Sequence, residues 1–230
     1  MKRLGLLGGM SWESSIEYER WINQEVRDRL GGTASADLVI RSFNFADIED
    51  MQEADDWDTA ARTLSTAARD LRSSGAEAIL MCTNTMHKVF DEVQAAIDVP
   101  LLHIADATAD AAISQAVHRV ALLGTRYTME QPFYADRLRA AGLHVSVPDE
   151  PDRTMIHDVI YTELVRGIVS PDSRGQYLAA IDRLVDAGAE GVIAGCTEIE
   201  LLVGARDVAV PYFPTAFLHA QAAARFALDS

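Results

Sequence analysis

The chain has 230 residues, of which 20 are Lys or Arg and 35 are Asp or Glu, giving a formal net charge of −15, and 49% of it is hydrophobic. This composition excludes a disordered or low-complexity chain and a small disulfide scaffold, and the length suits one large domain or two small ones. The acidic balance, with no basic stripe, excludes nucleic acid and an anionic membrane surface as partners. It leaves room for an acidic small molecule, because a single local cation can outweigh a screened global field.

No apolar run approaches the roughly 20 residues that span a bilayer. The start, Met1-Lys2-Arg3 and then Leu4 to Leu7, is too short for an export signal and meets Trp12-Glu13 at once, so it reads as a first buried strand. With Cys82 and Cys196 the only cysteines, the expectation is free thiols in a reducing cytoplasm.

In chain order, short β-rich runs predict strands at 3–7, 38–43, 78–82, 101–104, 120–123, 144–147, 192–195 and 208–210. Helical patterns fall between them at 14–30, 58–73, 86–96, 107–117, 132–141, 154–165, 174–187 and 216–227. Strands apolar on both faces, alternating with helices, specify a parallel sheet covered by helices. Ser14-x-x-Glu17 has the spacing of a capping box. Gly75 and Gly188 stand where helix C-caps belong, and Asp55, Asp56 and Asp58 read as a solvated helix start.

The chain repeats itself. Gly75-Ala76-Glu77 and the strand after it match Gly188-Ala189-Glu190 and its strand at an offset of 113 residues. Lys2 to Gly8 match His118 to Gly124 at 116, and Val99-Pro100 match Val210-Pro211 at 111. Three matches in one order predict two similar α/β halves related by a pseudo-twofold axis, each an about four-stranded parallel sheet flanked by helices. The expected halves are 1–98 with 210–230, and 99–209.

Ligands of open α/β sheets bind beyond the carboxyl ends of strands. One such end delivers Thr83-Asn84-Thr85, and its twin delivers Cys196-Thr197-Glu198. The gapless offset equates Thr83, not Cys82, with Cys196. Cys82 lies inside its apolar run and reads as an ordinary buried cysteine. Cys196 follows the end of its run, where helix-start N–H groups are expected to favour a thiolate and to attract a carboxylate. His87 reads as a satisfied structural histidine. The six histidines have no metal spacing, and neither a Walker A motif nor a G-x-G-x-x-G is present.

The segments Gly8-Gly9-Met10-Ser11-Trp12-Glu13-Ser14, Cys82-Thr83-Asn84-Thr85-Met86-His87-Lys88 and Gly195-Cys196-Thr197-Glu198-Ile199 resemble the aspartate/glutamate racemase family, across essentially the whole chain. The resemblance implies a cofactor-independent, dimeric racemase of acidic amino acids, L-Asp or L-Glu. Two opposed residues, usually both cysteines, would flank the substrate Cα. Here the pair becomes Cys196 and Thr83, as in the family's L-aspartate/glutamate-specific subgroup. Racemisation needs an acid and a base on opposite faces of one carbon, and donors for the charge that develops on the carboxylate. Asn84, Thr85 and Thr197 are donor candidates. Met10 and Gln52 fall where the family contacts substrate, and Thr125 follows Gly124 at a matching strand end. Arg166 aligns with a family lysine and would hold a carboxylate, or is a solvated helix-end arginine. Glu198 would orient or ionise Cys196, or merely begin a helix. Two other readings use the same residues: a single-cysteine decarboxylase or isomerase of a small dicarboxylate, and an amino-acid-binding protein in which Thr83 marks lost catalysis.

Overall fold

The computed structural model describes residues 1–229 and divides by packing into two units, Met1–Ile104 with the described residues from His219 onward, and Ala105–Leu218. In the first unit the elements are β1 (Leu4–Gly8), α1 (Trp12–Leu30), β2 (Leu38–Ser42), α2 (Phe45–Glu53), α3 (Trp57–Ser73), β3 (Ala78–Met81), a 3₁₀ turn (Thr85–Val89), α4 (Phe90–Ala95) and β4 (Leu101–Leu102). The second unit holds α5 (Ile104–Ser114), whose first residue belongs to the first unit, then β5 (Arg119–Gly124), α6 (Arg126–Glu130), α7 (Pro132–Ala140) and β6 (His144–Ser146). It continues with α8 (Asp152–Thr162), a 3₁₀ turn (Leu164–Arg166), α9 (Pro171–Asp186), β7 (Gly191–Gly195), α10 (Ile199–Leu202) and β8 (Tyr212–Pro214). Helix α11 (Thr215–Leu228) runs back into the first unit.

Each unit is built on a four-stranded parallel sheet, ordered β2-β1-β3-β4 in the first and β6-β5-β7-β8 in the second. The α/β architecture of two similar halves is the one expected. Strand interiors are wholly buried in β1, β3 and β7, as sheets with helices on their faces require. In the first unit the apolar side of α3 buries Ala60, Leu64, Ala67, Ala68 and Leu71 in a core shared with Leu7, Ile79 and Met81. Each large aliphatic side chain so buried contributes about 1.5–3 kcal/mol. The second unit's core gathers Leu123, Ile160, Tyr177, Val192 and Ile199.

The sequence offsets reappear as strand register. Leu4 pairs with Ala78, and their counterparts Val120 and Gly191 pair with each other. Ile79 pairs with Leu101, and Val192 with Tyr212. The Gly-Ala-Glu match has a physical role in both places. Helix α3 ends with Gly75 N–H on the Arg72 carbonyl and Ala76 N–H on the Leu71 carbonyl. Helix α9 ends with Gly188 N–H on Val185 and Ala189 N–H on Leu184. These are paired Schellman caps with φ of 91° and 102° at the two glycines. The glutamates then pair with the neighbouring strand: Arg3 N–H donates to Glu77 Oε1 and Arg119 N–H to Glu190 Oε2.

Several boundaries differ from expectation. β4 pairs with β3 and β8 with β7, so the units divide after 104 and 218 rather than at 98/99 and 209/210. The strand expected at 208–210 lies at Tyr212–Pro214, because the Pro211 carbonyl accepts from Val192 N–H and pairing starts only there. Its twin carbonyl on Pro100 accepts from Ile79 N–H. Ser14 does not cap α1. The helix already starts at Trp12, and Ser14 Oγ–H instead donates to the Ser11 carbonyl. Asp56 does cap α3, its carboxylate accepting from Thr59 N–H. The helix expected over 86–96 is a 3₁₀ turn followed by the short α4. Helices α2 and α6 had no counterpart in the sequence pattern.

Candidate active site

In the second unit the site begins where β5 and β7 end side by side. Gly124 and Gly195 are paired, and neither position has room for a side chain: a Cβ on Gly124 would stand 2.8 Å from the Gly195 carbonyl oxygen, and one on Gly195 would stand 2.7 Å from that of Leu123. The two bare strand ends deliver Thr125 and Cys196 next to each other in the chain's path. Thr125 caps α6, its hydroxyl oxygen accepting from Thr128 N–H. Cys196 is 6% exposed. Its Sγ–H donates to Glu198 Oε2 at 3.1 Å, and Thr197 Oγ1–H donates to the same oxygen at 2.7 Å.

The charge state of Cys196 reverses one expectation. Burial pushes its thiol well above the ordinary thiol range, and the Glu198 carboxylate, by charge and by accepting its proton, pushes the same way. The N–H groups of Glu198 and Ile199 pull in the opposite direction, as anticipated for a helix start. With only four residues in α10, they do not outweigh the other two effects. Cys196 is therefore a neutral thiol that donates to a carboxylate. Tyr177, buried in the same core, and Tyr212 have their hydroxyls pushed above the ordinary phenol range, first of all by burial. Neither had a signal in the sequence, because each reads as an ordinary core aromatic.

Arg166 closes the 3₁₀ turn after α8, and this turn packs against α10. The guanidinium is exposed and enters no ion pair among the described residues.

In the first unit, β3 ends at Met81 and the chain turns through Cys82, Thr83 and Asn84. Cys82 N–H donates to the Leu7 carbonyl, which keeps Cys82 in the sheet; it is fully buried, and burial alone pushes its thiol up. By register it is the counterpart of Gly195, and Thr83 is the counterpart of Cys196. Thr83, Asn84 and Thr85 are all buried at 7%, 3% and 5% exposure. Gln52, on α2, donates from Nε2 to Met86 Sδ at 3.1 Å, and Met10 packs into the same core as Met86. The first unit thus assembles Met10, Gln52 and the Thr83 loop, and the second assembles Thr125, Cys196, Thr197 and Glu198 with the Arg166 turn beside them.

His87 has a more specific place than sequence reasoning gave it. Its Nδ1 lies 2.8 Å from the Thr83 carbonyl, and its Nε2 accepts from Ile104 N–H at 3.3 Å. The signal available was its spacing, four residues after Thr83. Among the described residues no group of three or more His, Cys, Asp or Glu side chains is arranged to hold a metal ion, and no helix is long and apolar enough to cross a membrane.

Two α/β units, each built on a parallel sheet whose central strands end in a polar loop, define the class of α/β proteins with duplicated halves. The chain belongs to the Asp/Glu/hydantoin racemase family, whose profile matches residues 7–223. A crystal structure of a candidate Asp/Glu racemase from Yersinia pestis is similar to it at 53% identity and a TM-score of 0.94, with 100% of both chains covered. A second, of an aspartate racemase homologue from Pyrococcus horikoshii, is similar at 33% identity and a TM-score of 0.86, again over 100% of both. A broad-specificity amino-acid racemase from Bacillus subtilis is 24% identical over 151 residues, 64% of this chain and 63% of that protein.

Proposed function

We propose that this protein exchanges the α-proton of an acidic amino acid, L-Asp or L-Glu, without a cofactor, using Cys196 and Thr83 as its two proton-handling groups. The observation that carries this reading is the inequality of two equivalent loops. The second unit's loop offers a thiol already donating to a carboxylate. The first unit's loop offers a hydroxyl at the matching position and, where Glu198 stands in the twin, the uncharged Thr85.

In this reading Glu198 takes the proton of the Cys196 thiol, and the thiolate removes the α-proton of the L-enantiomer. The electron pair left on Cα spreads into the substrate carboxylate, where donors from Asn84, Thr85 and Thr197 and the charge of Arg166 lower its energy. Met10, Gln52 and Thr125 are further candidates for contact with the substrate. Thr83 Oγ–H returns a proton to the other face and recovers its own from water. A hydroxyl is a far weaker base than a thiolate, so Thr83 donates readily and abstracts slowly.

The test is proton NMR of L-Asp and L-Glu in heavy water with the protein present. Loss of the α-proton signal supports the reading. Absence of exchange in both substrates overturns it and favours a binding protein. Release of carbon dioxide from a substituted dicarboxylate in place of exchange favours a single-cysteine decarboxylase.

A further inference from the structure

We propose that His87 is a positioning residue for Thr83, a role that rests on the reading of Thr83 as a proton-handling group. The turn after β3 has an unusual arrangement of partners. In an α-helix the Thr83 carbonyl would accept from the backbone N–H of His87, four residues on. Here that N–H donates instead to Asn84, at 3.1 Å, and the chain follows a tighter 3₁₀ path. The imidazole of the same residue takes over the Thr83 carbonyl, at 2.8 Å.

The second ring nitrogen fixes the tautomer. Nε2 accepts the Ile104 N–H, so it carries no proton, and Nδ1–H is the donor to Thr83. Both bonds coexist only in the neutral ring. The ring is 2% exposed and is held on its faces: Phe90 stacks on it at 6.1 Å, His103 lies at 4.5 Å and His219 at 5.9 Å between centroids.

What His87 grips is itself held. Ile104 begins α5, at the point where the chain leaves the first unit. Two residues earlier, at the end of β4, the Leu102 carbonyl accepts from His219 Nε2–H at 3.0 Å, and His219 Nδ1 accepts from Tyr18 Oη–H at the same distance. The Thr83 backbone is thus tied through one rigid ring to a junction that a second histidine anchors to α1. A hydroxyl at the start of a loop has rotational freedom that a proton donor cannot use; fixing its carbonyl fixes the Cα–Cβ direction and with it the reach of Oγ.

The test compares two rates in heavy water with L-Asp or L-Glu: α-proton exchange, which needs Cys196, and inversion to the D-enantiomer, which needs Thr83 as well. His87→Ala is expected to lower the ratio of inversion to exchange at least tenfold. His87→Asn, whose side-chain N–H can still reach the Thr83 carbonyl, is expected to recover a large part of that ratio. Thermal melts accompany each variant to establish folding. A purely structural histidine would lower both rates in proportion and leave the ratio where it was, which overturns the proposal while leaving the reaction intact. If His87→Ala does not fold, His87→Leu, which fills the buried space without an N–H for the Thr83 carbonyl, takes its place beside His87→Asn: a ratio low in the Leu variant and recovered in the Asn variant supports the assignment, and equal ratios in the two overturn it. Wild-type protein without any exchange overturns the reaction and this role together.

Discussion

The thiol of Cys196 points its proton at the carboxylate of Glu198, 3.1 Å away. The pair is oriented for proton transfer between its members, and the same carboxylate holds the neutral thiol in place and discourages a free thiolate.

Replacing Glu198 by Gln separates these two effects. The negative charge that raises the Cys196 pKa disappears, so the thiol should ionise at lower pH. Iodoacetamide modification read by mass spectrometry should show its midpoint displaced towards acid, with Cys82 unmodified in both proteins. Substrate α-proton exchange should nevertheless fall by about a hundredfold, the usual effect of losing a positioned acid–base group. A variant that exchanges faster than the parent would show that the carboxylate restrains the thiol and does not serve it.

The two cysteines should differ in what they support. Cys196→Ser should lose exchange by at least about a hundredfold, while Cys82→Ala should keep it. Cys82 has a different measurable effect. Its thiol is neutral in the fold and its pKa is raised by burial, whereas in the unfolded chain it ionises from about pH 8.5. Above that value the unfolded chain loses a proton that the folded chain keeps. Stability from this group is complete below about pH 8.5 and is lost as pH rises, by about 1.4 kcal/mol per unit. Urea unfolding between about pH 8 and pH 10 should show a shallower decline for Cys82→Ala. An unchanged slope would mean that Cys82 ionises inside the fold.

Much of this layout was legible because duplicated segments constrain one another. Gly75-Ala76-Glu77 and Gly188-Ala189-Glu190 each combine a helix cap with a strand-edge partner, so their offset carried through into the sheet register. The same register identifies Thr83, not Cys82, as the twin of Cys196. The strand at Tyr212–Pro214 was misplaced because Val208, Ala209 and Val210 are β-prone, while the edge begins only at the Pro211 carbonyl. Helix α2, which carries Gln52, was missed because Phe45–Glu53 is short and its apolar positions do not keep one period. The protonation of Cys196 was misjudged because helix-start N–H groups can be inferred from sequence spacing, whereas burial of the thiol in a core assembled from distant segments cannot.

Thr83→Cys should change how exchange and inversion are related. The free enantiomers are equal in energy, so kcat/KM is the same from either side in any variant. With Thr83, deuterium should enter the L-enantiomer faster than the D-enantiomer appears, because Cys196 can return a solvent deuteron to the face it deprotonated. A second thiol in place of the hydroxyl should bring inversion closer to the exchange rate, and exchange of D-Asp should rise. A ratio unaffected by the substitution would place Thr83 outside the proton path.

Arg166→Ala probes the charge requirement. Its guanidinium is exposed and enters no ion pair among the described residues, so its removal should leave the melting temperature nearly unchanged. The KM for acidic substrates should rise by about tenfold or more, the effect of a lost charge-assisted hydrogen bond. Equal losses for acidic and neutral amino acids would remove Arg166 from substrate recognition.

Ala116 offers a test of the fold without reference to catalysis. It ends α5 with φ 57°, its N–H on the Ile113 carbonyl and Val117 N–H on Ala112, the same cap that glycine makes at 75 and 188. An L-residue with a Cβ loses about 1–2 kcal/mol in that conformation. Ala116→Gly should therefore stabilise by about 0.5–1 kcal/mol after the added flexibility of the unfolded chain, raising the melting temperature by a few degrees. A lower melting temperature would show that the methyl group packs more favourably than the backbone strain costs.

Lys2 N–H donates to the Ala227 carbonyl at 2.8 Å, so the two ends of the chain meet inside the first unit while the second unit is one uninterrupted stretch. The connectivity is in effect a ring with a cassette spliced into it, and the place where the ring is cut is arbitrary as far as strand pairing is concerned. Joining residues 1 and 229 through a short linker and opening the chain at Gly31-Gly32, an exposed turn beyond α1 where even a side chain would meet no neighbouring atom within 4 Å, would leave all eight strands with their present neighbours. This fold is therefore suited to circular permutation.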